Sequence, residues 1–343
     1  MKRKLRVMAL MHGDLVPPDS IEGLTDKEIA PWKTEFDVVS TLQELGHEVL
    51  PLGVRGDLGV IRRALGDWRP DIVFNLLEEF DGVATLDQNV VSYLELLRVP
   101  YTGCSPRGLM LARDKALSKE ILAYHRVRVP EFAVFPRGRK VRRPVRLKFP
   151  LFVKSLVEEA SLGIAKASIV DDDQHLKERV QFIHQRVGTD ALAETYIKGR
   201  ELYAGVLGNL RLQVLPIWEL LFTRMPKDAP RIATRKVKWD YDYQKKMGIA
   251  SQEAVLPEGL RDRIIHASKR IYRILGITGY ARIDYRLDAH GVFYVLEVNP
   301  NPQLAYGEDF AESADKAGLD YADLLQRILN LGLRRAAGGA TRF

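Results

Sequence analysis

The chain has 343 residues, 46% of them apolar and 28% charged, the proportions of a soluble globular protein with two or three domains. No apolar run approaches the roughly 18 residues of a membrane span, and the single cysteine, Cys104, excludes an internal disulfide, a cysteine-rich zinc site and an iron–sulfur cluster. The net charge of +7 equals that of one stretch, RGRKVRRPVRLK at 137–148, so the remainder is balanced and offers no diffuse nucleic-acid surface.

In chain order, residues 1–14 have a basic end and a short apolar run but no small-residue cleavage site, and read as the first strand of a cytoplasmic protein. Strand-like runs at 5–11, 47–52 and 71–77 alternate with amphipathic helical runs at 33–45, 57–68 and 87–98. This βαβα order predicts a parallel sheet with helices on its faces, an α/β, Rossmann-like N-terminal domain over 1–108. After the first strand comes HGDLVPPDS, without the G-x-G-x-x-G spacing that brings a pyrophosphate to a helix N-terminus; a nicotinamide dehydrogenase is therefore disfavoured.

A helix is predicted over 107–124, followed by a strand over 131–135, the basic connection opened by Pro136, strands over 151–156 and 164–170, and a helix over 172–187. Asp171, Asp172 and Asp173 stand where a helix start favours negative charge, and read as caps rather than metal ligands. The basic stretch is either a clamp for an acidic partner or a solvated connection; the lack of interleaved aromatic residues favours the connection. Further strands are predicted over 192–197, 201–207 and 212–222, then a polar, aromatic-rich loop, a helix over 259–275 stopped by Gly276, a hairpin over 280–299 and a helix over 320–332. The tail, 334–343, is expected to be disordered.

Chemistry concentrates in GYARIDYRLDAHGVFYVLEVNPNP, 279–302. In its first strand Tyr280, Arg282, Asp284 and Arg286 alternate with apolar residues, so one face is charged and the other is core. In its second strand Val292, Tyr294, Leu296 and Val298 are expected on the apolar face, with Glu297 and Asn299 opposite. A turn over 288–291 pairs positions summing to 579 or 581, and either register clusters Arg282, Asp284, Glu297 and Asn299. Two carboxylates about 4 Å apart repel by roughly 4 kcal/mol at an effective dielectric near 20 and need a cation. Mg²⁺, which favours hard oxygen ligands, is one candidate; the other is Arg282, neutralising the acids on a solvated sheet face.

Elsewhere, Lys154 stands inside the apolar strand LFVKS, where a charge is costly unless an anion meets it. The following loop, LVEEASLG, offers backbone N–H groups around Ser161 and Gly163 that can wrap phosphates. In AETYIKGRE, Glu194 and Glu201 bracket Tyr196 and Ile197; the carboxylates can accept from an amino group and from ribose hydroxyls while the aromatic ring packs on a base, or they can simply be exposed at strand ends.

Taken in order, these pieces resemble the ATP-grasp superfamily, specifically its D-alanine–D-alanine ligase branch, over nearly all of residues 1–333. The matching stretches are VPYTGCSPRGLMLARDK (99–115), FPLFVKSLVEEASLGIAKA (149–167), ETYIKGREL (194–202) and the hairpin segment. The resemblance implies a Rossmann-like pre-ATP-grasp domain followed by a two-lobed ATP-grasp fold of α+β type, with a central lobe over 109–192 and a C-terminal lobe over 193–333. It implies ATP between the lobes, with Lys115 and Lys154 on phosphates or adenine, Ser161 in the phosphate loop, Glu194, Tyr196 and the backbone near Ile197 around the adenine, and Glu201 on the ribose. It also implies two Mg²⁺ ions, with Mn²⁺ as the substitute, on Asp284, Glu297 and Asn299; Lys238 near the γ-phosphate; and Arg282 stabilising the charged intermediate. The implied reaction joins small carboxylate and amine substrates, amino acids or peptides, through an acyl phosphate. A homodimer through the first domain would follow the same family habit.

Departures from the family pattern fall where substrates should bind. HGDLVPPDS replaces a glycine-rich, glutamate-containing element, Leu76 and Leu77 replace a His-Gly pair ahead of Glu78, Glu79 and Phe80, and Gln303 and Glu308 stand where glycine and serine are expected. Retained nucleotide chemistry with altered pockets leaves a ligase of unassigned substrate as the leading expectation and a silent nucleotide-binding or partner-binding protein as the alternative. Nucleic-acid binding through 137–148 is a third reading, recognisable by strong salt dependence. Walker A, H-E-x-x-H and G-x-S-x-G motifs are absent, and His125, His184 and His266 read as packing or surface residues.

Overall fold

Near-continuous apolar runs make two of the three strands of the first unit buried on both faces, as parallel strands under helices are, while the third, an edge strand, is only partly buried. In the computed structural model, which describes residues 3–158, 164–226, 231–234, 237 and 240–337, β1 (Arg6–His12), β2 (Glu48–Val54) and β3 (Ile72–Asn75) form a parallel sheet in the order β2-β1-β3. The helices Lys33–Glu44 and Gly59–Trp68 connect these strands, as the alternation predicts. The strand order reverses at β1, so the carboxyl ends of β1 and β3 open a crevice of the kind that receives ligands in open α/β sheets.

The central unit is an antiparallel sheet ordered β4-β7-β5-β6, from β4 (Phe132–Phe135), β5 (Leu151–Ser155), β6 (Ile169–Val170) and β7 (Ala191–Thr195). The helix Asp173–Phe182 covers one face, capped by the Asp172 carboxylate, which accepts from the His175 N–H at 2.8 Å. The third sheet contains β8 (Arg200–Leu207), β9 (Gln213–Val214), β10 (Trp218–Phe222), β11 (Ile249–Glu253), β12 (Tyr280–Leu287) and β13 (Phe293–Pro300). Its main path runs β11-β10-β8-β12-β13, with β9 paired to β8. No helix among the described residues is long and apolar enough to cross a membrane.

Several boundaries differ from the sequence expectation for local reasons. The helix expected over 107–124 is two, Pro106–Arg113 and Lys115–Tyr124, because the Asp114 carboxylate accepts from the Ala116 and Leu117 N–H groups, both at 2.9 Å, and starts a second helix. The strand expected over 212–222 is split at Pro216, which cannot donate to a ladder. The last helix, Tyr321–Ala337, runs past the expected stop, and residues 334–337 are helical rather than disordered. Arg335 anchors that end, donating to Tyr101 O at 2.8 Å, Gly103 O at 2.7 Å and Thr278 Oγ1 at 2.8 Å.

This last helix leaves its own lobe and docks on the first sheet. Leu324, Leu325, Ile328 and Leu329 share one apolar cluster with Leu5, Val7, Ile72 and Phe74. Gly332 permits the approach: a Cβ there would lie 2.6 Å from Tyr101 O and 2.8 Å from Ile72 Cδ1. The first strand and the last helix are thus packed into one core.

In the basic stretch, Arg137 donates to the Gly188 carbonyl at 2.7 Å, Arg143 pairs with Asp173 at 2.7 Å, and Arg146 stands 3.7 Å from Glu131. These contacts tie three of its seven basic residues to their own lobe, while Arg139, Lys140, Arg142 and Lys148 are exposed.

Candidate active site

The cleft between the central and third sheets is built from period-2 alternation. β12 and β13 pair antiparallel with Ala281↔Pro300, Arg282↔Asn299 and Asp284↔Glu297, the 581 register. The pairing then shifts to Tyr285↔Val295, leaving Leu296 as the extra residue of a β-bulge. Here the sequence expectation fails. Val295 joins Val298 in the core and Leu296 turns to line the cleft, because the bulge reverses the alternation between these positions.

Across β12 lies β8, in the register Asp284↔Tyr203 and Arg286↔Glu201. One sheet face therefore carries a row of alternating charge. The Arg282 guanidinium makes a two-bond contact with Asp284, Nε to Oδ1 at 2.7 Å and Nη2 to Oδ2 at 2.9 Å. Asn299 Nδ2 donates to Asp284 Oδ2 at 3.1 Å. Further along, Arg286 Nη2 lies 2.8 Å from Glu201 Oε2, while the Tyr203 hydroxyl donates to Glu201 Oε1 at 3.0 Å. Arg282 also stacks 4.7 Å over the Tyr203 ring.

The opposite wall comes from β5, β7 and the helix Lys115–Tyr124. Lys154 Nζ is 3.0 Å from Glu194 Oε1 and 3.7 Å from Glu297 Oε2, and Lys119 Nζ is 3.1 Å from Glu194 Oε2. All three of Lys119, Lys154 and Glu194 are buried. The contact from Lys119 is an ion pair without hydrogen-bond alignment, since Glu194 Oε2 has no hydrogen-bond partner among the described residues. Burial would raise the Glu194 pKa, but the two ammonium groups outweigh it and hold the carboxyl below its usual range. Burial likewise opposes charge on Lys154, yet Glu194 and Glu297 hold its pKa above the usual value. For Lys119 burial wins over Glu194, and with Lys154 repelling it the ammonium is pushed down to about 8.

The cleft holds a cavity of about 70 Å³. Of the residues singled out from sequence, Lys154, Glu194, Tyr196, Ile197, Glu201, Asp284 and Glu297 line it. Arg282 and Asn299 adjoin it through Asp284. Lys115 is not part of the lining; it is buried at the start of its helix, and its ammonium donates to the Glu158 carbonyl at 2.7 Å. Ser161 and Lys238 lie outside the described residues. Apolar walls come from Phe152, Ile164, Ile232 and Leu296. Two charged residues were not singled out from sequence. Arg286 shares the alternating face of Arg282 and Asp284, so the periodicity that marked those two also marked it. Lys119 stands one helical turn after Lys115, a spacing that puts both on one helix face.

Among the described residues, no three His, Cys, Asp or Glu side chains form a metal-holding group. The hairpin supplies instead two carboxylates paired in register, Asp284 and Glu297, and one amide, Asn299, whose nitrogen donates to Asp284. Such a donor set suits Mg²⁺ that completes its shell with water and phosphate oxygens.

The family model for the D-ala D-ala ligase C-terminus matches residues 121–330. The uncharacterized protein y4sG of Sinorhizobium fredii is 34% identical over 323 residues, 90% of each chain. The D-alanine–D-alanine ligase of Desulforudis audaxviator is 30% identical over 318 residues, covering 91% of this chain and 97% of the relative. The crystal structure of the D-alanine–D-alanine ligase from Bacillus anthracis complexed with ATP superimposes with a TM-score of 0.76 at 23% identity, over 97% of this chain and 99% of that one. That structural likeness is one of fold.

Proposed function

Since the chain belongs to the D-alanine–D-alanine ligase family of ATP-grasp ligases, we propose that its cleft binds ATP and joins a small carboxylate to an amine through an acyl phosphate, releasing ADP and phosphate. The observation that carries this reading is the interlocked charge of the cleft: Lys154 on Glu194 and Glu297, and Arg282 with Asn299 on Asp284. A carboxylate is a poor electrophile towards an amine, and transfer of the γ-phosphoryl group makes its carbonyl carbon attackable. Catalysis of such a transfer is largely positioning and neutralisation of charge.

In this reading the adenine enters between Phe152, Ile197 and Leu296, with Glu194 accepting from its amino group and Glu201 accepting from the ribose. Lys154 neutralises phosphate charge. Mg²⁺ held by Asp284, Glu297 and Asn299 supplies Lewis-acid polarisation of phosphoryl oxygens. Arg282, oriented by the Asp284 carboxylate, donates to the oxyanion formed when the amine attacks. Lys238 on the γ-phosphate and Ser161 in the phosphate loop complete the proposal.

The substrates are amino acids or peptides other than a pair of D-alanines held in the usual way. Gln303 Nε2 approaches Thr34 Oγ1 at 3.4 Å, so this side chain fills the place of the expected glycine and reaches the N-terminal unit. The test is mass spectrometry of a reaction containing the protein, Mg-ATP and pooled L- and D-amino acids and dipeptides, with ADP and phosphate followed in parallel. An ATP-dependent amide mass with matching ADP is expected. D-alanyl-D-alanine as the sole product would refute the substrate reading, and tight Mg-ATP binding without turnover across the panel would leave a nucleotide-binding protein.

A further inference from the structure

Lys119 is 1% exposed, and it is the contacts of its ammonium that make it informative. Its Nζ donates to Leu296 O at 2.6 Å and lies 3.4 Å from Val295 O, besides its 3.1 Å approach to Glu194 Oε2. Those two carbonyls belong to the bulge in β13, where the ladder shifts and backbone groups lose their regular partners. Buried carbonyls without a partner are costly. The other polar group at the bulge, the Val295 N–H, is also satisfied from outside the hairpin, donating to Arg128 O at 2.9 Å.

The bulge decides which side chains face the cleft. If β13 continued in the register Tyr285↔Val295, Leu296 would stand opposite Asp284 and Glu297 opposite Ile283, on the core face. The extra residue restores Glu297 and Asn299 to the side of Asp284 and Arg282. A methionine would fill the same volume without burying a charge, so packing alone does not call for a lysine here.

We propose that Lys119 is a positioning residue: by holding the Val295 and Leu296 carbonyls together with Glu194, it fixes the bulge that turns Glu297 and Asn299 towards Asp284. The inference rests on the reading of the cleft as a Mg-ATP site. Its reach is wider than one strand, because it links the helix Lys115–Tyr124, β7 and β13 at a single buried point.

The test is calorimetric titration with ATP in the presence of EDTA and in the presence of Mg²⁺, which gives the factor by which the metal tightens nucleotide binding. Lys119→Met should reduce that factor about tenfold, and Lys119→Gln, whose amide still donates to a carbonyl, by less. In a Glu297→Gln background, Lys119→Met should change the factor no further, since it acts through that carboxylate. A merely structural lysine would lower the melting temperature and leave the factor alone; that result, or equal effects with and without the Glu297 carboxylate, overturns the inference. Should Lys119→Met fail to fold, the same comparison on Lys119→Gln decides. A parent protein whose ATP affinity is indifferent to Mg²⁺ would overturn the metal-site reading and this inference with it, whereas an unchanged factor in the variants overturns this inference alone.

Discussion

Two buried carboxyls, Glu194 in the cleft and Glu35 in the N-terminal unit, are held in opposite ways. In the cleft, Glu194 is buried against two lysines, and Asp284 against Arg282 and Asn299. In the N-terminal unit, Glu35 is 6% exposed on the inner face of the helix Lys33–Glu44, beside Val38, Val39 and Leu42, with no cation pairing with it among the described residues. Burial pushes its carboxyl up to about 7. At the crevice end of β1, His12 sits between Asp14 at 3.7 Å and Glu79 at 3.5 Å. Within the N-terminal unit Glu35 is the exception, since the buried Asp87 carboxylate there is paired with Arg113.

The largest expected effect breaks the cleft's pairing. Lys154→Met leaves Glu194 buried with one ammonium, a depressed one, in place of two. Removing one partner of a buried pair costs about 3–5 kcal/mol. The variant should melt well below the parent and lose ATP affinity by a factor on the order of 10². A variant with unaltered denaturant midpoint and ATP affinity would show that the lysine is dispensable and that the cleft's charges are no more coupled than surface ones.

The second prediction concerns Glu35 and has the opposite sign. A carboxyl with an ordinary value of 4.5 and a folded value of about 7 binds more protons when folded across that window. Stability therefore falls as pH rises from 4.5 to 7, and the loss is complete above it. Glu35→Gln removes the penalty. At about 1.4 kcal/mol per unit the gain at pH 8 is roughly 3 kcal/mol at most, and it vanishes near pH 4. Denaturant melts of both proteins across this range check it. If the variant is no more stable at pH 8, a cation faces Glu35 in solution and the contrast between the two carboxyls dissolves.

What was legible in the sequence follows the same division. Period-2 alternation placed Arg282 and Asp284 on one face, and an odd register sum placed Glu297 and Asn299 beside them, because one core face fixes a strand's register. The bulge was not legible: an apolar extra residue, Leu296, fits either face, and its placement depends on carbonyl partners from a distant helix. Lys119 was missed although its spacing from Lys115 marks it, since two of its three partners are backbone carbonyls that carry no sequence signal. The docking of Leu324 to Leu329 on the first sheet was equally hidden, as an amphipathic helix does not state which sheet it covers. Asp114 did carry a signal, a capping carboxylate ahead of a helical run, and it was overridden by the continuous apolar periodicity of 107–124.

The smallest effects lie in the basic stretch, where pairing can be compared without deep burial. Arg146 and Glu131 face each other at 3.7 Å with about two thirds of each side chain exposed, at 69% and 68%. Such a pair is screened by water and salt, so Arg146→Ala should leave the melting temperature within error. Arg143 is different in kind: it is 20% exposed, pairs with Asp173, donates to Leu147 O at 2.6 Å and stacks 4.6 Å over Phe149. Its planar fork spans a carboxylate, a carbonyl and a ring at once, which a point charge cannot do. Arg143→Ala should lower the melting temperature measurably, and by nearly as much at high salt as at low, because packing and the carbonyl bond survive screening. A loss that disappears in high salt would reduce Arg143 to an ordinary surface charge, and would reopen the stretch as a surface free to meet an acidic partner.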